Sequence, residues 1–145
     1  MHKEFSYQEL FNKWEKFING GHDVSHLRKE VAASWLRCRQ NNVNPYKVPP
    51  LLDESEVREL MIRNCDLLDI VNPFLTLIDD LTKETNFIFV LTDNKGNLLD
   101  VRGSEREMEH AKKNNFVRGA NRSESAGTHA ISLALLENKP MQLVG

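Results

Sequence analysis

The chain has 145 residues, 40% of them hydrophobic and 28% charged, and its 19 basic and 21 acidic side chains leave a formal net charge of −2. That length holds one domain of ordinary size with an extension, and the composition is that of a globular chain rather than a disordered one. A protein that holds nucleic acid by its phosphates carries a basic excess or a basic face, so direct nucleic-acid binding is disfavoured.

From the N-terminus, Leu10, Phe11, Trp14, Phe17 and Ile18 recur at three- and four-residue spacings, which predicts an amphipathic helix over Tyr7 to Ile18. Ser6 with Glu9 forms a capping box, and Gly20-Gly21 ends the helix. The charged start has no apolar h-region, so no signal peptide is visible and a cytoplasmic protein is expected. A second helix is predicted from about Ser25 to Asn41, carrying Val31, Ala32, Trp35, Leu36 and Cys38, and made basic by His26, Arg28, Lys29, Arg37 and Arg39. Asn44-Pro45 and Pro49-Pro50 punctuate the loop that follows.

Asp53 to Asn86 is the longest helical signal, with Asp53 or Ser55 as its cap. Asn72-Pro73 interrupts it, because proline lacks the amide donor and crowds the preceding turn, so two helices or one kinked helix should meet there. The apolar excess along residues 57 to 81 needs a partner, either the rest of the fold or a second copy. The period then changes. Phe87 to Thr92 reads as a strand buried on both faces, Asp93 to Asn97 as a turn, and Leu98 to Val101 as the returning strand of a β-hairpin.

Arg106 to Phe116 and Ala126 to Glu137 read as short helices, and Met141 to Val144 as a last strand after Pro140. Three strands make a thin sheet, and an apolar edge strand with nothing to pair with it is unusual, so the chain is expected to be cut short. The longest apolar run, Phe87 to Leu91, is far short of the roughly 20 residues of a membrane-spanning helix. Cys38 and Cys65 form neither a disulfide framework nor a zinc-ligand set.

Two signatures carry a family resemblance. Ser34-Trp35-Leu36-Arg37-Cys38 followed by Asn44-Pro45 resembles the "SWxRC…P" leader of sigma-54-dependent activators of the acetoin-catabolism and dihydroxyacetone-regulator group. Phe89-Val90-Leu91-Thr92-Asp93 with Gly96 is similar to that group's hairpin. Gly119, Ser123-Glu124, Gly127-Thr128, Ala130-Ile131 and Ala134-Leu135 are similar to its "GxxwSExxxGTNaIgtAL" segment, with Pro140 and Gly145 where "pvxvxGxEHf" begins. The sequence departs from the pattern at Arg122, His129 and Ser132, which replace the usual Trp, Asn and Gly.

The resemblance implies an α+β fold: an N-terminal helical region followed by a partial, truncated GAF-like antiparallel sheet with flanking helices. It divides the chain into a helical leader (1–50), a long kinked stalk (51–86) and a truncated GAF-like domain (87–145). It also implies a sensory role ahead of an ATPase module that remodels sigma-54 polymerase and a helix-turn-helix that binds DNA. No G-x-x-x-x-G-K-[ST] loop occurs in this sequence, so those partners are reached only through modules that it lacks.

The candidate ligand-binding residues are Arg118, Arg122, Ser123, Glu124, Thr128 and His129. Polar groups at a helix start suit a small polar or anionic effector, and a guanidinium pairs bidentately with a carboxylate. The plainer reading is helix capping for Ser123, Ser125 and Gly127-Thr128, surface positions for the arginines, and core packing for Trp35. His22 and His26 stand four apart, a spacing that can ligate metal, but no further ligand follows nearby. No metal, cofactor or catalytic residue is assigned. The expected function is ligand-responsive regulation by a homodimer joined through its helices, with the effector held between sheet and helices. The rival is an interaction module that binds no ligand.

Overall fold

The computed structural model describes residues 6–47 and 49–143. The architecture is α+β: helices α1 (Tyr7–Ile18), α2 (Lys29–Gln40), α3 (Glu54–Arg63) and α4 (Cys65–Thr82), strands β1 (Ile88–Thr92) and β2 (Leu98–Gly103), then α5 (Glu105–Lys113), a 3-10 turn (Glu124–Ala126) and α6 (Ala130–Glu137). The described residues fall into two compact units, those within 1–48 and 124–145 and those within 49–123. The grouping is not in chain order, since the last helix joins the first two.

In the first unit the predicted capping box of α1 is present, with the Glu9 amide donating to Ser6 Oγ at 3.3 Å and the Ser6 amide donating to Glu9 Oε2 at 2.9 Å. α1 buries Phe17, whose ring lies 5.1 Å from that of Trp35 on α2. Arg39 closes the other side: its guanidinium stacks 3.5 Å from the Phe17 ring and donates to the carbonyls of Phe17 and Gly21. α2 begins at Lys29 and not near Ser25. The amide and hydroxyl of Ser25 both donate to Asp23 Oδ1, a local turn that competes with helix formation. α6 packs on α2 through the fully buried Leu133, and a 2.6 Å ion pair joins Lys139 to Glu30. The helix opens four residues later than expected. His129 is its cap, its amide donating to Ser132 Oγ at 3.2 Å while the Ser132 amide donates to His129 Nδ1 at 3.3 Å.

In the second unit Asp53, rather than Ser55, caps α3 through a capping box with Glu56. The expected break at Asn72-Pro73 is not there. The helix is interrupted at Asn64, whose side-chain amide donates 2.8 Å to the Leu60 carbonyl, and Pro73 lies inside α4. Arg102 of β2 explains the continuity. It donates to Asn72 Oδ1 at 2.9 Å and to Asp79 Oδ2 at 3.1 Å, anchoring α4 on both sides of the proline while Leu75 is buried. Packing therefore offsets the one backbone bond that Pro73 removes.

β1 and β2 pair antiparallel with Val90 opposite Val101, and a bulge leaves Leu99 unopposed before Thr92 meets Leu98. β1 is only half-buried along its length, not buried on both faces, whereas Leu98 and Leu99 are fully buried. Asp93 Oδ1 accepts from the amides of Lys95 and Asn97, and Gly96 sits at φ +79° with no room for a Cβ, 2.7 Å from the Ser123 amide. Among the described residues the sheet has two strands, not three. Met141 to Leu143 form no strand, and Val144 lies outside the described residues. Instead the segment around Gly119 bonds to the start of β2, with the Leu98 amide donating to Ala120 O at 2.8 Å and the Gly119 amide to Leu98 O at 2.9 Å. α5 ends at Lys113, three residues before Phe116, where Asn114 caps it and Asn115 takes φ +55°.

Candidate functional site

Ser34, Arg37 and Cys38 stand three and four residues apart on α2, so they share one face of the helix. That face meets Glu124 and Thr128. Arg37 Nε donates to Glu124 Oε2 at 2.9 Å and Nη2 to Oε1 at 2.8 Å, a bidentate fork. Ser34, with no exposed surface, donates its hydroxyl to Glu124 Oε1. A serine has one hydroxyl proton, so in the 2.7 Å contact between Ser34 Oγ and Thr128 Oγ1 the threonine donates. Cys38 Sγ completes the cluster, 3.7 Å from the Glu124 carbonyl and 3.8 Å from Thr128 Oγ1.

The electrostatics follow from these contacts. Burial pushes the Glu124 carboxyl up, but the hydrogen bonds from Arg37 and Ser34 and the Arg37 charge outweigh it, and its pKa lies below the ordinary value. The hydrogen bond to Glu124 raises that of Arg37. Burial pushes the Cys38 thiol up, which keeps it protonated and unreactive at neutral pH.

Beside this cluster, α1, α2 and the stretch from Ala126 to Leu143 enclose a concavity of about 1540 Å³. Its walls are largely apolar, with Phe11, Trp14, Phe17, Val31 and Trp35 among them, and Cys38, Thr128 and His129 reach it from the side of the cluster. The volume exceeds the roughly 300–1,000 Å³ of a usual small-molecule pocket. Both tryptophans of the chain line it.

The six candidate residues divide between the units. Thr128 and His129 line the concavity, and Glu124 is held in the ion-pair cluster. Arg118 donates to Leu99 O at 2.8 Å and lies 3.6 Å from Asp100. Arg122 is buried, stacked 4.0 Å from the Phe116 ring, and donates to Asn114 O at 2.7 Å. The amide and hydroxyl of Ser123 donate to Asn121 Oδ1. His22 lies 3.2 Å from Arg39, and the ring of His26 meets Trp35 edge-on. Among the described residues no group of three or more metal-ligating side chains converges, and no helix is long and apolar enough to cross a membrane.

Sequence reasoning passed over Ser34 and Arg37 as site residues. The signal was their place in the leader motif, but their partner Glu124 lies 90 and 87 residues away.

No protein-family model matches the chain. It is 35% identical over 136 residues, 91% of its length, to the acetoin dehydrogenase operon transcriptional activator AcoR of Bacillus subtilis (strain 168). It is 34% identical over 128 residues (85%) to an uncharacterized 47.3 kDa protein in the thcA 5′ region of Rhodococcus erythropolis. It is 28% identical over 121 residues (79%) to a signal-transduction and transcriptional-control protein of Clostridium beijerinckii. The chain spans 22%, 29% and 19% of those relatives' lengths. A chain of the crystal structure of the E. coli DhaR(N)–DhaL complex has the same fold, with a TM-score of 0.68 at 20% identity, covering 76% of this chain and 38% of that one.

Fold and kinship define the class, a regulatory region of the kind carried by bacterial transcriptional regulators rather than an enzyme. Within that class the chain is homologous over most of its length to the acetoin operon activator and shares the fold of the DhaR N-terminal region, the group that its two signatures resemble.

Proposed function

We propose that this chain is the GAF-type signal-sensing region of a cytoplasmic bacterial transcription activator. It binds a small metabolite, acts as a homodimer joined through its helices, and controls a downstream ATPase module that acts on sigma-54 polymerase. The effector sits in the concavity of the first unit, a small and mainly apolar molecule packed against Trp35 and Trp14, with Thr128 and His129 meeting its polar end. Glu124 positions Thr128 through Ser34. Arg118, Arg122 and Ser123 support the second unit.

One observation carries this reading: Thr128 belongs both to the concavity wall and to the hydrogen-bonded cluster that ties α2 to the 3-10 turn. A ligand that engages the Thr128 hydroxyl competes with Ser34 for it and so changes how α2 and the turn hold together. Differential affinity for the two arrangements is what sensing requires.

The test is thermal unfolding and tryptophan emission of the chain against diols, ketones and short carboxylic acids. A dose-dependent rise in Tm accompanied by a change in emission supports the reading and gives the effector class. A cooperative transition that no compound moves, with constant emission, overturns it. The second reading, docking of a protein segment without a small ligand, is favoured by the width of the concavity and would then stand.

A further inference from the structure

Five apolar side chains of α4 are left in solvent. Leu67 is 37% exposed, Ile70 68%, Phe74 62%, Leu77 57% and Leu81 71%. Their spacing is three, four, three and four residues, the a and d positions of a heptad repeat carried without interruption along an 18-residue helix. The opposite side of α4 is already used, since Leu75 is buried and Arg102 holds Asn72 and Asp79. One helix therefore has one face for its own fold and a second, separate seam of coiled-coil period.

We propose that this seam is the homodimer interface, with α4 of two copies packed side by side, parallel and in register. The inference rests on the homodimer in the function proposed above and names its surface and orientation. A second copy is the occupant that the spacing fits, because a seam of this period is complementary to itself. In register, all five residues layer on their own counterparts. An antiparallel pair matches a positions with d positions and keeps only four of those layers.

The flanking charges agree with the layers. Asp66 and Asp80 occupy g positions, and Val71 and Ile78 the e positions. A parallel pair sets each g position beside an e position of the other copy, so no two carboxylates meet across the seam. The antiparallel alignment centred on Asn72 instead puts Asp66 of each copy against Asp80 of the other, a like-charge contact at both ends.

Sedimentation equilibrium of the chain, with Phe74→Glu and Leu77→Glu tested singly and Ile62→Glu on α3 as an exposed control off the seam, reads the interface. The expected result is a dimer that both seam changes shift to monomer while the control stays dimeric, each variant retaining its far-UV spectrum and cooperative unfolding. A dimer that survives both changes overturns the seam and leaves the homodimer standing. A monomer at all concentrations, in this chain and in one extended through the further modules, overturns both. Orientation is read by disulfide crosslinking of Leu67→Cys and Leu81→Cys in a Cys65→Ser background. Symmetric links at each position support the parallel pair, and links formed only between the two different positions overturn it. None of these outcomes depends on an effector.

Discussion

Arg37 and Glu124 face each other as a planar fork, Nε to Oε2 at 2.9 Å and Nη2 to Oε1 at 2.8 Å, across 87 residues of sequence. The Glu124 side chain is 15% exposed and that of Arg37 36%, so the carboxylate is the more desolvated partner. Losing the arginine leaves a part-buried charge with only Ser34 to satisfy it. Arg37→Gln should lower stability by about 1–2 kcal/mol, less than for a fully buried pair because Arg37 is partly solvated. Arg37→Lys should recover less than half, since an ammonium cannot form the fork. Urea unfolding of the three proteins checks this, and equal midpoints would remove the ion pair from the account.

The same pair sets an acid dependence. Glu124 has a lowered pKa in the fold, so its contribution is fully present above the ordinary, unfolded-state glutamate value and is lost as pH falls through the lowered folded value. Stability should therefore decline on the acid side, and Glu124→Gln should flatten that part of the profile. Tm measured from pH 7 down to about pH 3, across the ordinary carboxylate range, decides it. A wild-type and variant pair that decline in parallel would assign the acid loss to other carboxylates.

Two glycines with positive φ separate backbone strain from steric clash. Gly96 has φ +79° and a Cβ there would lie 2.7 Å from the backbone nitrogen of Ser123, whereas Gly127 has φ +96° and open space around it. Gly127→Ala should cost about 1 kcal/mol from conformation alone, and Gly96→Ala about 2–3 kcal/mol because a backbone atom must move as well. Equal losses in chemical denaturation would mean that the turn against Ser123 yields without resistance.

Arg102 bears the continuity of α4. It reaches Asp100 at 2.8 Å as well as Asn72 and Asp79, from a side chain only 20% exposed. Arg102→Met should cost about 2–3 kcal/mol and reduce helicity at 222 nm. In that background Pro73→Ala should restore part of the helicity, because the proline is then no longer held on both sides. If Arg102→Met left the helical signal intact, α4 would be continuous for some other reason.

The difference between α4 and its expected break shows where local reading ends. The rule that proline ends a helix concerns the backbone of a few residues, and it was outweighed by a side chain 30 positions away. At α6 the sequence pointed to a helix start near Gly127, but His129, bonded reciprocally to Ser132, is the cap. A histidine cap has no strong sequence signature. The hairpin, by contrast, was legible in full because its turn is closed by Asp93 through contacts two and four residues away.

Of the candidate site, Thr128 and His129 were legible as polar residues at the start of α6, and Glu124 as part of the motif that holds them. That Ser34, Arg37 and Cys38 of the leader would meet them was not, although both motifs were visible. The sequence by itself determined the elements whose signals lie within one helical turn or one hairpin: the capping boxes at Ser6 and Asp53, the apolar stripe of α1 and the turn after β1. Only the tertiary structure decided the helix break at Asn64, the two-stranded sheet and the pairing of Arg37 with Glu124. The physical reason is range. Caps and turns are made between neighbours, whereas an ion pair between residues 87 apart exists only after the chain path has brought them together.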